Sequence, residues 1–77
     1  MDYKGKKIIV LGAGTSGVGA ARVLARLGAE TVLADRNEAA VSDAERDELT
    51  GLGVTVITGR QDESMLAGVD RVIVSPG

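Results

Sequence analysis

The chain has no cysteine, histidine, tryptophan or phenylalanine, and only one tyrosine and one proline among its 77 residues. Without cysteine there is no disulfide framework and no thiolate metal site. Without histidine the commonest metal ligand and general base are gone, so little catalytic chemistry remains. Aromatics at 1% of a chain that is 44% hydrophobic leave the core to Val, Ile, Leu and Ala, the usual filling of a parallel sheet covered by helices. No apolar run approaches the roughly 18 residues of a membrane span. The opening MDYKGKK alternates charge and leads into no signal-peptide core. A cytoplasmic location without a membrane partner is the expectation. Lys and Arg number 9 against 11 Asp and Glu, a formal charge of -2 with no basic block, so no nucleic-acid footprint is indicated. The length allows one domain, near the size at which a single apolar core barely suffices.

What is present alternates between two periodicities. Lys7 to Leu11 (KIIVL) reads as a buried strand that ends abruptly at Gly12. From Ser16 the spacing becomes helical, with Gly17, Ala20, Ala21, Leu24 and Leu27 toward one side and Arg22 and Arg26 toward another, until Gly28 stops it. Thr31 to Ala34 is a second strand ending at Asp35. Asn37 is placed to cap a second helix, EAAVSDAERDEL, whose apolar stripe (Ala40, Val41, Ala44, Leu49, Leu52) is narrow and ragged, so that this helix is expected to be mobile. Its acids Asp43, Glu45, Asp47 and Glu48 read as a solvated face, and no metal is assigned because no second cluster opposes them. Gly51 and Gly53 close it; Val54 to Thr58 is a third strand, Glu63 to Ala67 a short helical turn, and Asp70 to Val74 a fourth strand. Strands alternating with crossover segments predict an α/β fold with one parallel sheet of order 3-2-1-4 flanked by helices. The chain stops at Ser75-Pro76-Gly77 directly after a strand, so a sheet truncated at that edge, within a longer parent, is expected.

The stretch GAGTSG, Gly12 to Gly17, carries the functional signal. A strand turning at once into a helix aims the helix's unpaired N–H groups outward, with about half a positive charge. Gly12 suits the tight turn, Gly14 lets a phosphate approach bare backbone, and Gly17 lets the helix pack close to the sheet. Thr15 and Ser16 offer hydroxyls that either cap the helix or donate to phosphate oxygens. Asp35 lies 18 positions past Gly17, near the roughly 20 at which an acid reaches a bound ribose in dinucleotide-binding folds. Arg36 can neutralise Asp35 or reach a ligand phosphate. No G-x-x-x-x-G-K-[ST] motif occurs, so the chain is expected to bind a phosphate-bearing ligand without using ATP. On these residues alone, an NAD-binding half of an oxidoreductase and a domain holding a nucleotide-linked substrate both fit. So does a folding unit with no measurable ligand affinity.

The ending RVIVSPG after Asp70, the opening YKGKKIIVLGAGTSG, the helix end RLGAE and the pair Asp35-Arg36 together resemble the N-terminal, Rossmann-like domain of the D-glutamate-adding Mur ligases. The likeness covers essentially the whole chain. It departs at Ala13, where many members carry a larger aliphatic residue, and at Arg36, often a smaller polar one. The resemblance implies that residues 1–77 form the domain holding the UDP end of UDP-N-acetylmuramoyl-L-alanine in peptidoglycan synthesis. ATP and magnesium would be bound by a central domain and D-glutamate brought by a C-terminal one, leaving no cofactor and no catalytic residue here. By position, Gly12 shapes the turn, while Gly14, Thr15, Ser16 and Gly17 would contact the diphosphate and ribose. Asp35 and Arg36 would contact the uracil end, and Ser75, Pro76 and Gly77 would form the opposite wall.

Overall fold

A computed structural model describes residues 2–75. The elements are β1 (Lys7–Leu11), α1 (Thr15–Arg26), β2 (Glu30–Asp35), α2 (Asp43–Gly51), β3 (Thr55–Thr58), a 3-10 turn (Glu63–Leu66) and β4 (Arg71–Val74). The strands form one sheet in the order β3-β2-β1-β4, and every pairing is parallel. This is the expected α/β architecture, so the carboxyl ends of all four strands share one edge of the sheet. Strand ends differ from expectation by a residue: Glu30 and Asp35 join β2, while Val54 and Asp70 precede β3 and β4.

Side chains alternate across a strand, so Ile8 and Val10 face one side with Leu33 of β2. There they meet Val18, Ala21 and Leu24 of α1, Leu49 of α2, and Val41 and Val54 in a single apolar cluster. Ile8, Leu33 and Leu49 are fully buried, each worth about 2–3 kcal/mol in transfer from water. The buried stripe of α1 is Gly17, Val18, Ala21 and Leu24. Leu27, expected on that stripe, is 50% exposed because it is the C-cap, where the helix has already ended. Gly28 follows in the left-handed region (φ +87°), and the Gly28 and Ala29 N–H groups return to the Ala25 and Leu24 carbonyls. This Schellman closure is repeated by Gly53 and Val54 after α2.

Helix α2 begins later than the sequence reading placed it. Asn37 does not cap it; the Asn37 Oδ1 accepts from the Ala39 N–H at 2.9 Å, forming a local turn. The cap is Ser42, whose Oγ accepts from the Glu45 N–H at 3.1 Å while Glu45 Oε1 accepts from the Ser42 N–H at 3.1 Å. Such a reciprocal capping box satisfies two N–H groups at once, and a lone Asn cap cannot compete with it. The helix is held inward by buried Leu49 and sideways by Glu48, which accepts from Arg22 of α1 through both carboxylate oxygens at 2.7 and 2.8 Å. Glu48 is thus an inter-helix partner rather than only part of a solvated face. Among the described residues, no helix is long and apolar enough to cross a membrane.

Ser42→Ala is expected to lower stability by about 1 kcal/mol. Asn37→Ala should cost clearly less, and urea unfolding followed by circular dichroism separates the two.

Candidate functional site

Beyond the carboxyl ends of the strands, the β1 loop is built by main-chain geometry. Gly12 sits at φ +98°, a conformation side chains disfavour, and its N–H donates to the Ala34 carbonyl at 2.8 Å. A β-carbon on Gly17 would overlap the Gly12 carbonyl oxygen and lie 2.9 Å from its carbon. Only hydrogen fits between the turn and the helix, so the packing role expected of Gly17 is what the geometry delivers. Gly14 is the N-cap of α1 with φ -61° and ψ -177°, an extended backbone open to any residue.

The first turn of α1 has no charged or capping side chain of its own. Thr15 and Ser16 are exposed and do not cap it, so of their two expected roles the capping one is not realised. Helix α2 is the opposite case, with the Ser42 cap and with Asp43 and Glu45 in its first turn. The positive end of α2 is therefore answered by its own first turn, while α1 has no such answer from its own residues.

Asp35 closes β2 and reaches back to this turn. Its Oδ2 accepts from the Ala13 N–H at 2.9 Å and its Oδ1 from the Asn37 N–H at 2.8 Å. These bonds, the Ala13 one first, hold its carboxyl below the ordinary 3.8. Asp35 thus positions the glycine turn, a role the spacing to Gly17 does not reveal. Ser75 follows β4 with its N–H on the Leu11 carbonyl at 2.8 Å. A β-carbon placed on either Gly12 or Gly17 would lie 3.4 Å from the Ser75 Cβ, so Ser75 flanks the turn on the β4 side. Its Oγ is buried without a hydrogen-bond partner among the described residues. Pro76 and Gly77 lie outside the described residues.

Two adjoining cavities open on the β2 side. One of about 400 Å³ is lined by Leu11, Gly12, Ala34, Asp35, Arg36 and Gln61. The other, of about 460 Å³, is lined by Arg36, Glu38, Gly59, Arg60 and Gln61. The structure therefore gathers Gly12, Asp35 and Arg36 around one space, with Ser75 on the other side of the turn. The loop after β3, Gly59 to Gln61, was not singled out by sequence reasoning. The available signal was topological: in a parallel sheet β3 ends at the same edge as β1 and β2, where ligands of such sheets bind.

Two outcomes test this geometry. Gly17→Ala should cost about 3 kcal/mol in urea unfolding, the upper end of overpacking, because the obstacle is main chain rather than a movable side chain. Asp35 has a depressed folded-state value, so its contribution is complete above the unfolded-state value and lost as the pH falls through the folded one. The stability gap between the parent and Asp35→Asn should be widest at neutral pH and close on acidification. Measuring both chains removes the parallel titrations of Glu48 and Asp62, whose values are also lowered.

Residues 6–77 match the model of the Mur ligase MurD-like N-terminal domain. The chain is 43% identical over 76 residues to the UDP-N-acetylmuramoylalanine--D-glutamate ligase of Ligilactobacillus salivarius, an alignment covering 97% of this chain and 16% of the relative. It is 45% identical over 78 residues to the enzyme of the same name from Geobacter metallireducens, covering 100% of this chain and 17% of the relative. The Lachnospira eligens enzyme of that name is 36% identical over 77 residues, with 100% and 17% covered. The chain thus spans about one-sixth of the length of these curated relatives. With the glycine turn, the parallel sheet and the family match in agreement, the chain belongs to the MurD-like N-terminal domain family of the Mur ligases.

Proposed function

We propose that this chain is the UDP-binding domain of a ligase that adds D-glutamate to UDP-N-acetylmuramoyl-L-alanine in peptidoglycan synthesis. The observation that carries the reading is the start of α1, uncapped and with no acid in its first turn, at the carboxyl edge of the sheet, in a chain whose relatives are named for a UDP-linked substrate. The N–H groups at Gly14 to Gly17 suit a diphosphate, because a dianionic group placed there answers both the unpaired donors and the helix dipole. Thr15 and Ser16 add hydroxyl donors toward the phosphates and ribose. Arg36 and the Asp35 end of β2 flank the uracil, and Ser75 forms the wall beyond the turn.

The residues present do not suit an ATP–magnesium site: the sequence lacks the G-K-[ST] element, and no group of three or more candidate metal ligands gathers among the described residues. In this reading, activation of the substrate carboxylate by ATP and capture of D-glutamate fall to other domains of the parent ligase. This domain's contribution to the reaction is to hold one end of the substrate so that the other end is presented to them. A cytoplasmic location belongs to the same proposal.

UDP added to ¹⁵N-labelled protein should shift the amides of Gly14 to Gly17 and Asp35 more than NAD does at the same concentration; a larger response to NAD would refute the ligase reading. Gly14→Val, which places two methyls where the phosphate must pass, should weaken the UDP response at least tenfold while preserving the dispersed spectrum of the folded chain.

A further inference from the structure

Gln61 has no part in the proposal above, yet it stands in the same site. It lies two positions past Gly59, whose N–H donates to the Asp35 carbonyl at 2.9 Å and so draws the β3 loop against the end of β2. Gln61 lines both cavities, together with Arg36 in each. Its Nε2 is shielded from solvent and has no hydrogen-bond partner among the described residues. A shielded amide NH₂ lacking an acceptor is costly, and native chains rarely keep one that nothing answers. The walls do not answer it. The Asp35 oxygens accept from the Ala13 and Asn37 N–H groups and take nothing from Nε2. Arg36 and Arg60 are donors only. Glu38, the other acid there, accepts nothing from Nε2.

Turning the Gln61 side chain into either of the cavities it lines would give Nε2 an acceptor on whatever fills the space. An anionic group is met better by the arginines on the same walls. A neutral amide adds something they cannot, a donor and an acceptor side by side, which matches the carbonyl and N–H edge of a pyrimidine. Resting on the reading of the chain as a UDP binder, we infer that Gln61 is a specificity-determining residue whose side-chain amide pairs with the carbonyl and N–H edge of the base in the cavity lined by Asp35, Arg36 and Gln61.

The test uses the whole chain, whose sequence contains one glutamine and one asparagine, so only two side-chain NH₂ pairs appear in its ¹⁵N spectrum. On titration with UDP the Gln61 pair, assigned by its loss in Gln61→Leu, should shift, whereas inorganic pyrophosphate should move the Gly14 to Gly17 amides and leave that pair in place. Gln61→Leu should bind UDP about tenfold more weakly, the scale of one hydrogen-bonded contact, with pyrophosphate binding unchanged. If UDP moves the glycine amides while the Gln61 pair stays still, or if Gln61→Leu binds UDP as the parent does, the assignment of Gln61 is wrong and the UDP reading stands. If UDP produces no response in the parent at millimolar concentration, both fall together.

Discussion

The Gly12 carbonyl rests against the α-carbon of Gly17, and the position of everything at the carboxyl edge follows from that contact. It fixes how close to the sheet α1 begins, and hence where its first N–H groups point. A methyl group at Gly17 would push the helix off the turn by more than side-chain adjustment can absorb, because both obstacles are main chain. Two bonds to β2 hold the turn in place, from the Gly12 N–H to Ala34 and from the Ala13 N–H to Asp35. The site is thus a backbone device whose stiffness comes from the neighbouring strand.

The two helices show what this device is for. Both start at loops on the same side of a small sheet, yet α2 answers its own N-terminus with Ser42, Glu45 and Asp43, while α1 has no cap and no acid in its first turn. A bare start costs α1 the roughly 1 kcal/mol that a cap would contribute. Burial of Val18, Ala21 and Leu24 more than offsets that loss. Stability therefore comes from one face of α1, and its free end is left for a ligand. In α2, where Leu49 is the buried residue, propensity and capping must supply what packing does not.

The features legible in the sequence were those with a strong period or a forced conformation. The alternation of KIIVL and TVLA with helical spacing gave the strand order, and Gly12 and Gly17 stood where only glycine fits. The start of α2 was misplaced because Asn37 is a good cap in isolation; the Ser42–Glu45 pair three residues apart was the stronger signal, and its second bond decides the competition. Asp35 was found by spacing, but its grip on Ala13 was not, since nothing local announces a hydrogen bond across 22 positions. Gln61 was invisible for a related reason. Its significance lies in what it fails to bond with, and an unsatisfied donor has no sequence signature.

β4 shows how the wall opposite the turn is held with little apolar packing. Its outward residues Val72 and Val74, which pair with Ile9 and Leu11, are 45% and 72% exposed, whereas Ile9 is fully buried. Side-chain burial on that face therefore fades from the centre of the sheet to its β4 edge. Polar clamps at both ends of the strand take over. At its start the Asp70 N–H donates to the Lys7 carbonyl at 2.8 Å, Asp70 Oδ2 accepts from the Lys7 N–H at 2.8 Å, and Lys7 Nζ reaches the Ala67 carbonyl at 2.9 Å. At its end the Ser75 N–H holds the Leu11 carbonyl. With directional hydrogen bonds to β1 at both ends of the strand, Ser75 is kept beside Gly12 by β1 itself. The same strand that ends in the glycine turn thus also sets the wall facing it, and any distortion of β1 would move both sides of the site together.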